Sequence, residues 1–134
     1  TFTGTATSAQ YADLAEIYSA DANYAPGVVV VIGGKEQVTI SNSDNDYRVA
    51  GVVTANPAHL MNSSADYEYN CAVALVGKVP CRVTGVINKG DLMTTATFGR
   101  AQANNDAKSG TIIGKALEDF SGENGIINIL VGKH

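Results

Sequence analysis

The sequence predicts an all-β fold: a compact sandwich or barrel of about 8–10 short strands, with one long irregular loop and an extended N-terminal arm. Three observations carry this. Glycines at 77, 85, 90, 99, 110, 122 and 125 punctuate the second half, so turn signals recur roughly every 8–12 residues, the spacing of short antiparallel strands. Val28-Val29-Val30-Val31-Ile32 is a continuous apolar run, the mark of a strand covered on both faces. A sustained helical period is absent. Only Tyr11–Tyr18, Pro57–Met61 and Ala116–Phe120 offer a weak helical turn.

The elements follow in order. Thr1 to Gln10 is small and polar with no period, so it reads as an arm or linker, with residues 11–134 forming one β domain. Such an arm, led by Thr1, Phe2 and Thr3, is suited to add a strand to a neighbour's sheet edge. Tyr11–Tyr18 is ambiguous: Leu14, Ile17 and Tyr18 fit a helical turn, whereas Leu14, Glu16 and Tyr18 fit one face of a strand. Ala25-Pro26-Gly27 is a turn, with proline fixing φ and glycine supplying positive φ. Gly33-Gly34-Lys35-Glu36 connects the valine strand to Gln37–Ser41, where Val38 and Ile40 alternate inward. Ser41–Asp46 is a loop. Arg48–Val53 is the next strand, and Gly51 inside it marks a bulge or a close backbone approach. Thr54–Asn70 is the long irregular stretch, of the kind that often contacts a partner. Cys71–Val76, Lys78–Val83, Asp91–Thr97, Gly99–Ala103, Thr111–Leu117 and Ile126–Val131 complete the strands.

The 134 residues suit a single domain. At 13.9 kDa, surface scaling gives roughly 6,700 Å² folded against roughly 20,000 Å² unfolded, enough burial for an independent core. Hydrophobic residues make up 45% of the chain and charged residues only 16%, against about 25% charged in ordinary soluble domains. An uncharged polar surface would explain the shortfall. So would an outer surface that meets copies of itself, because such interfaces are depleted of charge, and this is the reading we prefer. The net charge of −4 and the scatter of nine basic residues argue against nucleic acid, which needs clustered Lys and Arg. No stretch approaches the roughly 20 apolar residues of a membrane span. The first residue is Thr1 rather than Met, from which either upstream processing or a start inside a longer product is expected.

Candidate chemistry is sparse. If Cys71–Cys81 folds as a hairpin centred near Val76, the two cysteines face each other and come within disulfide range. The other reading is two buried free thiols acting as small apolar groups. Asp13 and Glu16 fall three apart and would share one side of a helical turn, as an acid–base pair or as a solvated pair. Asp44-Asn45-Asp46 lacks the Gly and later Glu of a calcium loop. Gly33-Gly34-Lys35 lacks the spacing of a phosphate loop. Ser8, Ser63 and Ser64 have no His and Asp in triad arrangement. His59 and His134 are isolated, so no metal site and no cofactor is expected. Six tyrosines without tryptophan would serve as interface anchors or line a sugar groove.

The order of several motifs points further. Tyr11-Ala12-Asp13-Leu14-Ala15-Glu16-Ile17-Tyr18, Pro26-Gly27 with the valine strand, Val49-Ala50-Gly51-Val52-Val53-Thr54-Ala55-Asn56-Pro57 and Val73-Ala74-Leu75-Val76-Gly77-Lys78-Val79 together resemble the C-terminal domain of bacteriophage tail-fibre and pre-neck appendage proteins. That group includes a self-cleaving, intramolecular-chaperone type with glutamic-peptidase-like chemistry. Lys89-Gly90-Asp91-Leu92, Gly114–Asp119 and Leu130–His134 are similar to the version in structural proteins of tailed phages, notably those of cyanobacteria. The resemblance implies a β-rich, trimer-forming module at the end of a fibre. The resemblance implies that in self-cleaving members the cut lies near the Ala-Asp-x-Ala-Glu motif, with a serine just before that motif. Asp13 and Glu16 occupy its acidic positions here, but Tyr11 stands where a serine is common, and the nearest serine is Ser8. That departure argues against self-cleavage. The resulting expectation is a non-enzymatic, self-assembling virion or extracellular protein: a fibre, appendage or decoration module. Two alternatives stand beside it, a filament joined by exchange of the N-terminal strand and a single-turnover self-cleaving chaperone. The expected partner is the chain itself, with a host-surface glycan as a further candidate.

Overall fold

The computed structural model describes residues 14–55 and 68–132. Its nine strands are β1 (Leu14–Ala20), β2 (Val29–Ile32), β3 (Val38–Ile40), β4 (Val49–Val52), β5 (Tyr69–Ile87), β6 (Leu92–Thr95), β7 (Ala101–Ala103), β8 (Ile112–Ala116) and β9 (Phe120–Val131), with no helix among the described residues. They run β4-β2-β3-β1-β5-β7-β6-β8-β9, and a further β5–β9 pairing closes the last five into a barrel. The first strands lean back on the same spine, because Val53 bridges Val73 of β5. The all-β expectation therefore holds, and between sandwich and barrel the answer is a barrel with added strands.

β5 is the element on which both halves are built. Its first part pairs antiparallel with β1, from Tyr69↔Ala20 to Val76↔Leu14. At Gly77 it changes partner and runs antiparallel with β9, from Gly77↔Val131 to Ile87↔Phe120. This corrects two expectations. The strands are not uniformly short, since β5 has 19 residues and β9 has 12. Nor do Cys71 and Cys81 face each other across a hairpin. Val76-Gly77-Lys78 continues the strand, so the cysteines are ten positions apart along one extended chain, about 33 Å at the usual rise. Both are free and buried, Cys71 beside Val73 in one apolar cluster and Cys81 beside Val79 and Val83 in another. The described part of Tyr11–Tyr18 is strand rather than helix. Ala15, Ile17 and Ser19 point inward, while Leu14 and Glu16 are exposed and Tyr18 is half-buried. Ala116–Phe120 holds the end of β8, a turn and the start of β9, so its weak helical signal is not realised. Pro57–Met61 lies outside the described residues.

Local sterics explain the connections. Val28 N–H donates to the Ala25 carbonyl at 3.3 Å and Gly27 has φ +98°, the geometry of a type II turn with proline at its second position and glycine at its third. Gly51 is a bulge and a close approach at once. The β2–β4 register slips between Val30↔Gly51 and Val31↔Val49, and a Cβ on Gly51 would lie 2.9 Å from the Ala74 carbonyl oxygen. Pro80 sits inside β5 opposite Asn128. Its missing N–H costs little there, because Asn128 turns its own groups away: its N–H donates to Glu118 Oε2 and its carbonyl accepts from Leu117 N–H.

Two cores result. Val79, Cys81, Val83 and Ile87 of β5 alternate into the barrel against Met93, Ile113, Ile127 and Ile129. Val73 and Cys71 pack with Val30, Val38 and Val53 on the other side of the molecule. The valine run is covered on both faces from Val28 to Val31, as its sequence predicts, while Ile32 emerges half-exposed.

Candidate functional site

Three polar clusters are fully engaged in holding loops. Tyr24 Oη–H donates to Asp21 Oδ1 at 2.5 Å and Thr39 Oγ1–H to Asp21 Oδ2 at 2.8 Å. Burial pulls the Asp21 pKa up, but these hydrogen bonds outweigh it and the net direction is down. Asp46 accepts from Arg48 Nε at 3.1 Å, Arg48 Nη2 at 2.9 Å and the Arg48 backbone N–H at 2.9 Å. Those bonds hold its pKa below the ordinary carboxylate value despite its burial. With Asn45 at φ +53° and Asp46 N–H on Thr95 Oγ1 at 2.7 Å, residues 44–46 form a turn docked on β6. Asp91 joins Asn105 Nδ2 at 3.0 Å and the Asn88 N–H at 2.8 Å. Gly33-Gly34-Lys35 is part of the β2–β3 connection and no helix follows it.

The cysteines are not poised for chemistry. Burial pushes the Cys71 thiol up to about 11 and the Cys81 thiol up to about 12, so neither forms the reactive thiolate at neutral pH. Glu16 lies on the exposed face of β1, with Tyr18 on the same face. Burial, followed by the Glu16 charge and hydrogen bond, raises the Tyr18 pKa. Ser8 and Asp13, the proposed companions of Glu16, lie outside the described residues, as do Thr1, Phe2 and Thr3 of the arm and His59, Ser63, Ser64, Tyr67 and His134. Among the described residues, no three His, Cys, Asp or Glu side chains gather as a metal site, and no helix is long and apolar enough to cross a membrane. Tyr18 and Tyr69 take diagonal places on the β1/β5 ladder; Tyr24 and Tyr47 belong to loops.

The most distinctive surface lies elsewhere, on the outer face of the β5/β9 ladder. Arg82 of β5 is opposite Ile126 of β9. Beside them the β6–β7 turn presents Phe98 and Arg100, and together with Asn124 and Gly125 these residues line a cleft of about 420 Å³. Phe98 is 70% exposed and Ile126 is 62% exposed. Large apolar side chains so open to water are informative when they cluster.

The turn that carries Phe98 is rigid. Gly99, at φ +68°, is wedged inward; a Cβ there would lie 2.8 Å from Val28 and 2.9 Å from Ile40. Its N–H donates to Ser41 and its carbonyl accepts from Val29. Phe98 is itself held at φ +59°, a conformation that bulky residues rarely adopt. Arg100 locks the wall. Its Nε donates to the Thr97 carbonyl, its Nη2 to Thr97 Oγ1, and its Nη1 to the Glu123 carbonyl and Asn124 Oδ1, all at 2.9–3.1 Å. Its guanidinium also sits 5.5 Å from the Phe98 ring centre. Arg82 differs: its side chain has no hydrogen bond or ion pair among the described residues. The cleft thus combines a fixed aromatic face, an aliphatic wall and one unengaged cation. None of Arg82, Phe98, Arg100, Asn124 and Ile126 stood out in the sequence as a candidate site residue. The legible hint was a phenylalanine at a place that the strand spacing assigns to a connection.

The fold can be compared with solved structures. The chain is similar to the N base of the head fiber protein gp8.5 of bacteriophage phi29, with a TM-score of 0.51 and 16% sequence identity over 88% of this chain and 92% of that one. No protein-family model matches the sequence, and no curated protein does. The likeness is one of fold: a β domain of the kind found at the base of a phage head fibre.

Proposed function

We propose that the chain is a structural module of a phage particle, a fibre, appendage or decoration domain that works by assembling with copies of itself rather than by catalysis. The single observation that supports this most is the fold likeness to a head-fibre base across nearly the whole of both chains. The surface is in keeping with it: low in charge, with open apolar side chains at Phe98, Ile126 and Val86. The described carboxylates with lowered pKa are committed to holding loops, and the thiols are buried.

The finer reading is a trimer at a fibre end. A filament joined through the Thr1–Gln10 arm keeps the same fold and moves the joint to the N-terminus. Electron microscopy of the purified chain decides between them. A discrete knob with a small integral number of copies is expected, and it should survive deletion of residues 1–10. Long filaments that vanish with the arm would replace it with the second form, and solitary particles would overturn self-assembly altogether.

A further inference from the structure

The cleft over Arg82 is a built feature of the described surface whose cation has no partner among the described residues. Its parts are costly to maintain. A phenylalanine in the left-handed region is strained relative to Asn or Gly at the same place, and the turn that imposes this is pinned by Gly99 and by Arg100. Burying Phe98 would repay that cost, yet its ring is open to solvent. Strain of this sort, held by an over-determined scaffold, is characteristic of contact sites.

The features surrounding the cleft indicate what fills it. Along the outward positions of the same ladder, Val86 lies four residues beyond Arg82 on β5 and Leu130 four residues beyond Ile126 on β9. Each step of four is about 13 Å, the two running in opposite directions along the antiparallel pair, with Thr84 and Asn128 between and Lys78 and Lys115 opposite Leu130. This mixed apolar and polar face therefore reaches well past the footprint of one sugar or one side chain and fits a protein surface. The cation specifies its chemistry. Arg82 offers a guanidinium fork that matches a carboxylate, while the chain carries 13 acidic against nine basic residues. Glu36, Asp44 and Asp106 are exposed, and none of their side chains has a partner among the described residues. A second copy therefore brings what the cleft lacks.

We propose that this cleft is a joint between copies of the chain, in which Phe98 and Ile126 bury apolar surface of the neighbour and Arg82 receives one of its carboxylates. The proposal rests on the self-assembling reading above and deepens it.

The test uses the full chain and sedimentation velocity across a dilution series. Arg82→Glu, Ile126→Asp and Phe98→Asn each weaken association by about tenfold or more, with the wild-type circular dichroism spectrum retained. Phe98→Asn is the most telling of the three, since asparagine suits the left-handed backbone and relieves the turn. Tyr47→Asn, an equally open aromatic in the β3–β4 connection, leaves association unchanged. If the wild type assembles and all three cleft variants assemble equally well, the joint lies elsewhere and only this proposal falls. A wild-type monomer at every concentration removes the self-assembling reading and this proposal with it. Titration with sialyllactose supplies the remaining arm: saturable binding that is lost in Arg82→Glu, in a chain whose assembly ignores that change, would assign the cleft to an acidic glycan and overturn the joint.

Discussion

Gly99 and Gly90 both have positive φ, +68° and +95°, but they differ in what a side chain would meet. At Gly90 nothing lies within 4 Å; at Gly99 the added methyl group collides with Val28 and Ile40. Gly90→Ala is therefore expected to cost about 1–2 kcal/mol of backbone strain, and Gly99→Ala about 2–5 kcal/mol as overpacking adds to it, both read from urea unfolding. The carboxylates make a second prediction at this scale. Asp21 and Asp46 have folded pKa values below the unfolded value of about 3.9. Their contribution is present above that value and lost as pH falls through the lowered ones. Unfolding free energy should be insensitive to these groups between about pH 5 and 7 and decline below about pH 4. Asp46→Asn, which keeps the side-chain shape but removes the charge, should make that decline shallower. Residue-level features legible in the sequence were those set by backbone sterics alone, such as the Pro26-Gly27 turn and the Gly51 bulge. Phe98 was illegible because its conformation is imposed by Gly99 packing against Val28 and Ile40, residues remote from it in sequence.

At the scale of elements, closure of the barrel depends on how closely β8 approaches β9. Gly114 pairs with both Met93 and Val131, and a Cβ on it would fall 2.1 Å from the Leu130 carbonyl oxygen. Its φ is not the reason for glycine; the backbone of β9 occupies the space. Gly114→Ala must push the two strands apart, so slowed amide exchange along Ile129 and Val131 should be lost while exchange in β1 and β2 is kept. Uniform protection in the variant would show that the seam tolerates a methyl group. Most strands were readable from short alternating runs ended by glycine. Gly77 misled because a glycine between two valine-rich runs looks like a turn locally. It is instead where β5 passes from β1 to β9, and both partners are remote in sequence. The disulfide expectation failed for the same reason: Cys71 and Cys81 are opposite only if the chain reverses between them.

For the whole molecule, the strand and turn spacing pointed to an all-β chain and the composition to a low charge, yet they left sandwich and barrel undivided. That choice rests on the β5–β9 ladder, a pairing of residues some 30 to 55 positions apart that no local pattern announces. The cleft was likewise hidden, because its two walls come from β5, β9 and the β6–β7 turn and meet only after closure. We propose that the barrel is a building block whose exposed face around Arg82, Phe98 and Ile126 is covered by another copy. Sedimentation equilibrium of the full chain, from nanomolar to high micromolar concentration, tests that claim most directly. A mass that is a small integral multiple of 13.9 kDa at micromolar concentration, falling toward one copy on dilution, is the predicted result. A single-copy mass throughout the range would contradict it.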